Sequence, residues 1–380
     1  MTAALQEKEI LFKSVDARPD RFASSNPDDF AIPNGREEDW RYTPLKRIGN
    51  LHSDAVATQD INYEIVAAQG VISKVLTREE VKTKFLATDR IGARTQALWA
   101  KALVIEIPKE LETKDLTWIK IDLKPGVQFG HIIINAKNFS NSTVVLEQTG
   151  SGFAGINCEI IAEPGSNLDF INVCDLDRKG VLVSEHQFVI DKDANVRSLV
   201  VQLGGDILRY NPRAKFSGNH GAVELLGVYL ATQGQYFENR VFVDHNMKDC
   251  KSNVLYRGGA QGKDSHIVWV GDVMIRKIAT GTNTYEMNRN LLLDSGARAD
   301  SVPNLEIETG QVEKAGHASV TGRLDDDQLF YLMSRGIDEP TARQLVIEGF
   351  FSGIFGEFTH PDLKEKLNQR LNAAIERGHQ

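Results

Sequence analysis

Metal or sulfur chemistry in this chain would fall to His317 and to Cys158, Cys174 and Cys250. His317 sits in Glu313-Lys314-Ala315-Gly316-His317-Ala318-Ser319, between a strand-like region and a helix, where small neighbours leave its imidazole unobstructed. A neutral imidazole is a fair ligand for iron and titrates near neutrality. A single histidine without neighbouring ligands equally suits a capping or interface role. The three cysteines are odd in number and widely spaced, with no Cys-x-x-Cys pair, which opposes a disulfide framework or a structural zinc site. Isolated cysteines are commonly buried structural thiols, and a part in sulfur relay stays open. His245, Cys250 and His266 share one stretch, but their spacing matches no zinc or iron pattern. Strand alternation would put His245 and Cys250 on opposite faces, so they read as structural.

Two glycine-rich runs imitate phosphate-binding loops. Gly150-Ser151-Gly152-Phe153-Ala154-Gly155 matches G-x-G-x-x-G after a strand, with Asp169 downstream. That fingerprint needs a helix opening at its third glycine, whereas Ile156 to Ala162 reads as another strand; a corner between strands is the better account. Gly258-Gly259-Ala260-Gln261-Gly262-Lys263-Asp264 has Arg257 in place of the first glycine and Asp264 in place of the magnesium-binding hydroxyl. Neither run is expected to bind a nucleotide.

The elements that must position these residues follow from pattern. Hydrophobic residues at 41% and charged residues at 25% describe a chain able to bury a core. A net charge of −8 opposes attraction to phosphate backbones, so nucleic acid is an unexpected partner. The first 14 residues lack an apolar secretory core. No stretch reaches the roughly 20 apolar residues of a membrane span. No membrane partner is expected, and a reducing cytoplasm is the expected location.

Residues 1–101 read as mainly helical, with segments at Leu5–Val15, Glu37–Arg47, Arg78–Lys84 and Arg94–Ala102. From 102 to 315 short β-branched runs alternate with turns, as in Leu103–Ile107, Trp118–Leu123, His131–Ile134 and Thr143–Leu146. Turns opening at Gly165, Asp193 and Gly221 recur every 28 residues. A repeating turn–strand unit that cannot bury its apolar face alone must stack on its neighbours. Two strands per repeat without helices favour a β-helix, although a sandwich also spaces its turns regularly. From 316 to 380 helices return: one capped by Asp325 or Asp326 and ending at Gly336, one near Asp338 to Phe355, and one carrying Leu363, Leu367, Leu371 and Ile375. The acidic run Asp325-Asp326-Asp327 reads as a first turn complementing the helix dipole.

Lys314-Ala315-Gly316-His317-Ala318-Ser319 followed by Leu324-Asp325 and Leu329-Phe330-Tyr331-Leu332-Met333-Ser334-Arg335-Gly336-Ile337 resembles the C-terminal signature of the SufB/SufD family. Arg36-Glu37-Glu38-Asp39-Trp40-Arg41-Tyr42-Thr43-Pro44-Leu45, Asn288–Leu293, Ala297–Asp300 and Pro303–Ile307 are similar to further motifs of that family. The three cysteines and the length of 380 residues fit its SufD side better.

The resemblance implies a right-handed parallel β-helix between helical ends, in a scaffold for iron–sulfur cluster assembly that is not itself an enzyme. It makes His317 a candidate cluster ligand at a junction of two scaffold subunits. Ala315 stands where the family pattern has a cysteine, so the thiolate would come from the partner. It implies a SufB-like partner, or a second copy of this chain, and a SufC-like ATPase docked on the C-terminal helices; the stripe of Leu345, Phe350, Phe351, Ile354 and Phe355 supplies the expected docking residues, with part of it buried internally against the β-helix. No cofactor is expected to stay bound to this chain alone; a transient iron–sulfur cluster and, as an open question, a flavin belong to the complex. A SufB-like homodimeric scaffold and a β-helix carbohydrate-active enzyme are the alternatives. The second would need clustered acids and bases on one coil face, which the sequence does not display.

Overall fold

A computed structural model describes residues 21–356 and 360–378; the Leu5–Val15 segment lies outside the described residues. The core is a β-solenoid of about eight turns, each contributing one strand to each of two nine-stranded sheets. One sheet runs β1 (Glu64–Val66), β4 (Glu112–Leu123), β6 (Asn141–Gly150), β8 (Asn167–Asp175), β10 (Asn195–Gly204), β12 (Ala222–Ala231), β14 (Lys251–Ala260), β16 (Asn283–Leu292) and β18 (Lys314–Arg323). The other runs β2 (Ile72–Thr77), β3 (Lys101–Ile107), β5 (Val127–Ala136), β7 (Phe153–Ala162), β9 (Val181–Ile190), β11 (Ile207–Phe216), β13 (Tyr236–His245), β15 (His266–Ile275) and β17 (Arg298–Ile307). Pairing is parallel throughout except where β1 meets β4 and β2 meets β3.

The repeat is fixed by one corner per coil. Glu110, Phe139, Gly165, Asp193, His220, Asp249 and Gly281 all adopt positive φ, between 56° and 75°. Each donates its backbone N–H to a carbonyl of the next coil, as from Gly165 to Lys192 at 2.9 Å and from Asp193 to Asn219 at 3.2 Å. The left-handed corner is costly for a side chain, and the stacked hydrogen bonds offset that cost coil by coil. The expected corner at Gly221 is therefore one residue late; His220 occupies it.

Ile132, Ile156, Phe170, Phe188, Tyr210, Tyr229, Tyr256 and Trp269 fill the lumen between the sheets. Both outer faces are apolar too, which explains the near-continuous hydrophobic strands. The first is covered by α3 (Glu339–Phe355) and α4 (Pro361–Arg377), whose Ile347, Phe351, Ile354, Phe355, Leu363, Leu367, Leu371 and Ile375 pack on Val145, Ile171, Leu199, Val201 and Val228. The second is covered by the N-terminal segment, where Trp40, Ile48, Leu51, Ile91 and Trp99 meet Val183, Ile207, Val268 and Val270.

That N-terminal covering is less helical than its pattern suggests. Among the described residues before 101 the α-helix is α1 (Arg90–Leu98), capped by Asp89. Glu37–Arg47 forms turns ending in a 3-10 turn at Leu45–Arg47. Pro44 disfavours helix at Thr43, and Thr43 donates to buried Glu238 at 2.6 Å instead. Arg78–Lys84 is not helical either. Glu80 accepts from the Thr77 backbone N–H at 2.8 Å, and Thr83 donates to Glu159 at 2.9 Å.

Candidate functional site

The two ends of the solenoid are finished differently. At the first, Ile61 and Tyr63 pack over the lumen, and β1 and β2 turn antiparallel to the coils they border. At the other, among the described residues β17 pairs only with β15 and β18 only with β16, so the last coil presents an edge from each sheet that no described strand pairs. Such edges invite another strand or chain. Ala315, His317, Ser319 and Thr321 stand in register with Thr284, Glu286, Asn288 and Asn290 on the lumen side. Their counterparts one coil earlier are sealed; His317 and Ser319 are exposed because no further coil among the described residues stacks on them.

His317 thus lies within β18, two residues beyond the expected boundary of strand structure at 315, and not in a connection to a helix. Its Nδ1 is 3.7 Å from Oε1 of Glu286, whose side chain is fully buried. Among the described residues neither carboxylate oxygen of Glu286 has a hydrogen-bond partner. Burial, reinforced by the Asp272 charge, pushes its carboxyl up to about 8. Gly271, from the facing sheet, makes room for it: a β-carbon there would stand 2.5 Å from Glu286 Oε2. Trp269 Nε1 beside this position likewise has no hydrogen-bond partner among the described residues. Behind them, hydrogen bonds link Ser319 to Ser301 at 2.7 Å, Ser301 to Asn288 at 2.7 Å, and Asn288 to Tyr229 at 2.9 Å, tying the two sheets across the lumen.

Outside the last coil, a groove of about 890 Å³ leads to His317 between Arg21, Asp39, Arg240, Asp272 and Leu305. Its charges are largely matched: Arg240 reaches Asp39 at 2.7 Å and Arg21 reaches Asp39 at 3.2 Å.

The other candidates disperse. Cys158, Cys174 and Cys250 are buried free thiols. Burial pushes the Cys174 thiol up to about 12 and Cys250 to about 11, which disfavours the reactive thiolate. His245 bonds Ser252 at 2.8 Å, and His266 bonds Asp300 at 2.7 Å. The fingerprint Gly150–Gly155 is a corner: Gly150 and Gly152 take positive φ and β7 begins at Phe153. Gly258 and Gly259 belong to β14, not to a loop opening a helix.

The expected docking stripe divides. Phe351, Ile354 and Phe355 are the internally buried part, core against the first sheet, and are not open to a partner. Phe350 is half-buried, and its backbone carbonyl accepts from Arg257. Leu345 remains exposed, beside Val346. The larger apolar surface lies on α2 (Asp326–Ser334), where Phe330 is 73% exposed and Tyr331 58%. The sequence carried a signal for it: Leu329-Phe330-Tyr331-Leu332-Met333 puts apolar residues on every side of a nine-residue helix that can bury only one face.

Residues 120–350 match the family model described as "SUF system FeS cluster assembly, SufBD core domain". A SufBD family iron–sulfur cluster assembly protein of Mycobacterium leprae is 43% identical over 368 residues, covering 93% of this chain and 92% of the relative. A homologous SufBD family protein of Mycobacterium tuberculosis is 42% identical over 367 residues, covering 93% and 91%. The iron–sulfur cluster assembly protein SufD of Escherichia coli is 28% identical over 195 residues, 51% of this chain and 46% of that protein. The match spans β4 to α3, taking in both the unpaired coil and the exposed helix face, and the chain belongs to the SufBD family of iron–sulfur cluster assembly proteins.

Proposed function

We propose that this chain is a SufD-like, non-catalytic scaffold subunit that joins a SufB-like subunit, or a second copy of itself, through the open end of its solenoid. The observation that carries this reading is the last coil, uncapped among the described residues: two strand edges that no described strand pairs, with exposed lumen residues at the position of the family's signature histidine. A second chain laid on β17 and β18 would continue both sheets and cover His317. A nascent iron–sulfur cluster is then cargo of the interface, with His317 supplying imidazole and the partner supplying thiolate, since Ala315 has none. A SufC-like ATPase is assigned to the face formed by Phe330, Tyr331, Met333 and Leu345, whose exposed apolar area is unusual on a short surface helix. The expected compartment is the cytoplasm; no described helix is long and apolar enough to cross a membrane.

Affinity purification of the tagged chain from its native cell tests the assignment. Recovery of a scaffold paralogue together with an ATPase is the expected result. Recovery of a monomer at micromolar concentration, with neither protein, would overturn it.

A further inference from the structure

We infer that Glu286 and His317 form one half of a divalent transition-metal site, a carboxylate and an imidazole on adjacent coils whose remaining ligands come from whatever closes the open end. This deepens the reading above and rests on it for those remaining ligands.

The inference begins with Glu286. Buried carboxylates are ordinarily paired or multiply hydrogen-bonded, because an unpartnered one costs several kcal/mol. Every other fully buried carboxylate of the solenoid obeys this: Glu185 accepts from Thr88 and pairs with Arg213 at 2.8 Å, and Glu238 pairs with Arg209 at 2.7 Å. Among the described residues neither oxygen of Glu286 accepts a hydrogen bond and no Arg or Lys pairs with it; its cationisable neighbour is His317 at 3.7 Å, in the last sealed layer below the open end. The neighbouring Asp272 cannot neutralise it and adds like charge, while its own oxygens are engaged by Asn304 at 2.7 Å and Arg21 at 3.7 Å.

His317 supplies the second donor and the access. It lies 3.7 Å from Glu286 Oε1 with its side chain 43% exposed, so an ion arriving at the open end meets the imidazole first and the carboxylate beneath it. Two ligands with bonds of about 2.0–2.2 Å to a tetrahedral ion stand about 3.4 Å apart, within a small side-chain rotation of the observed separation. Gly271 keeps the space above the carboxylate free, where any side chain would enter. A carboxylate with an imidazole suits iron(II), cobalt(II) or zinc better than the hard cations that prefer all-oxygen shells. Two protein ligands give weak binding in the separate chain, which suits cargo handed to an interface.

Cobalt(II) titration of the purified full chain, followed by proton NMR of the histidine ring signals, tests the pair without any partner. The signals missing from His317→Ala identify that ring. Paramagnetic broadening of those signals at submillimolar cobalt is expected, weakened at least tenfold in Glu286→Gln, with the buried rings of His131 and His186 unaffected. Glu286→Asp, which withdraws the carboxylate by one methylene, is expected to weaken binding too and replaces the Gln variant if that variant fails to fold. No broadening at His317 up to millimolar cobalt, or equal affinity in the Glu286 variants, overturns the half-site. Those outcomes leave the assembly reading standing, because co-purification tests it separately.

Discussion

Arg209 and Glu238, register partners one coil apart on β11 and β13, meet at 2.7 Å with both side chains shut off from solvent. The guanidinium also lies 4.1 Å from the centre of the Trp40 ring and reaches the Asp39 carbonyl at 3.2 Å. The pair therefore fastens the N-terminal segment to the second sheet. Burial works against ionisation of Glu238, but Arg209 and Arg240 outweigh it and hold the carboxyl below its usual range. Arg209→Met leaves that carboxylate buried with its main partner gone, and a loss of about 3–5 kcal/mol is expected. Urea unfolding midpoints measure it; a loss under about 1 kcal/mol would mean that the pair is dispensable.

His131 sets a limit on acid stability. Its ring stacks on Trp99 at 5.4 Å, and among the described residues neither nitrogen has a hydrogen-bond partner. Burial, with Arg78 nearby, pulls its pKa down to about 3. The unfolded chain takes up that proton near pH 6.5 and the folded chain does not until about pH 3, so stability contributed by the neutral ring is lost as pH falls across that window, by about 1.4 kcal/mol per unit. His131→Phe keeps the stacking and removes the titration. Its stability should fall less steeply between pH 6 and 4 by roughly that slope; parallel curves for the two proteins would show that the ring protonates inside the fold.

The aromatic residues of α2 and α3 should separate cleanly by role. Phe351→Ala opens the core beneath α3 and should cost about 3–5 kcal/mol. Phe330→Asp and Leu345→Asp, on the open face, should leave the melting temperature nearly unchanged while abolishing recovery of the ATPase. Retention of the ATPase by the double variant would move the docking surface elsewhere.

His317→Ala should leave any assembled complex and its ATPase activity intact while lowering cluster yield on reconstitution with iron and sulfide. A ligand acts after assembly, so the two readouts part company. Normal cluster yield from the variant complex returns the residue to a structural role at the interface.

What the sequence determined is what short-range pattern can encode. Alternating β-branched runs, regularly recurring turns and the helix caps at Asp325 and Gly336 specify strands, repeat and terminal helices, because each is a property of neighbouring residues. Resemblance to the SufB/SufD motifs decided for a parallel β-helix between helical ends and marked His317. Tertiary structure decided the rest. Glu37–Arg47 has a helix-like composition, yet Thr43 and Asp39 serve the buried Arg209 and Arg240, so the segment unwinds to reach them. Phe350, Phe351 and Ile354 are alike in sequence, and only the packing of α3 on the first sheet decides that Phe351 and Ile354 are buried and Phe350 half-buried. Glu286 carried no signal at all: one glutamate in a strand is unremarkable until stacking removes water from both its oxygens and the chain ends its last coil one layer above it.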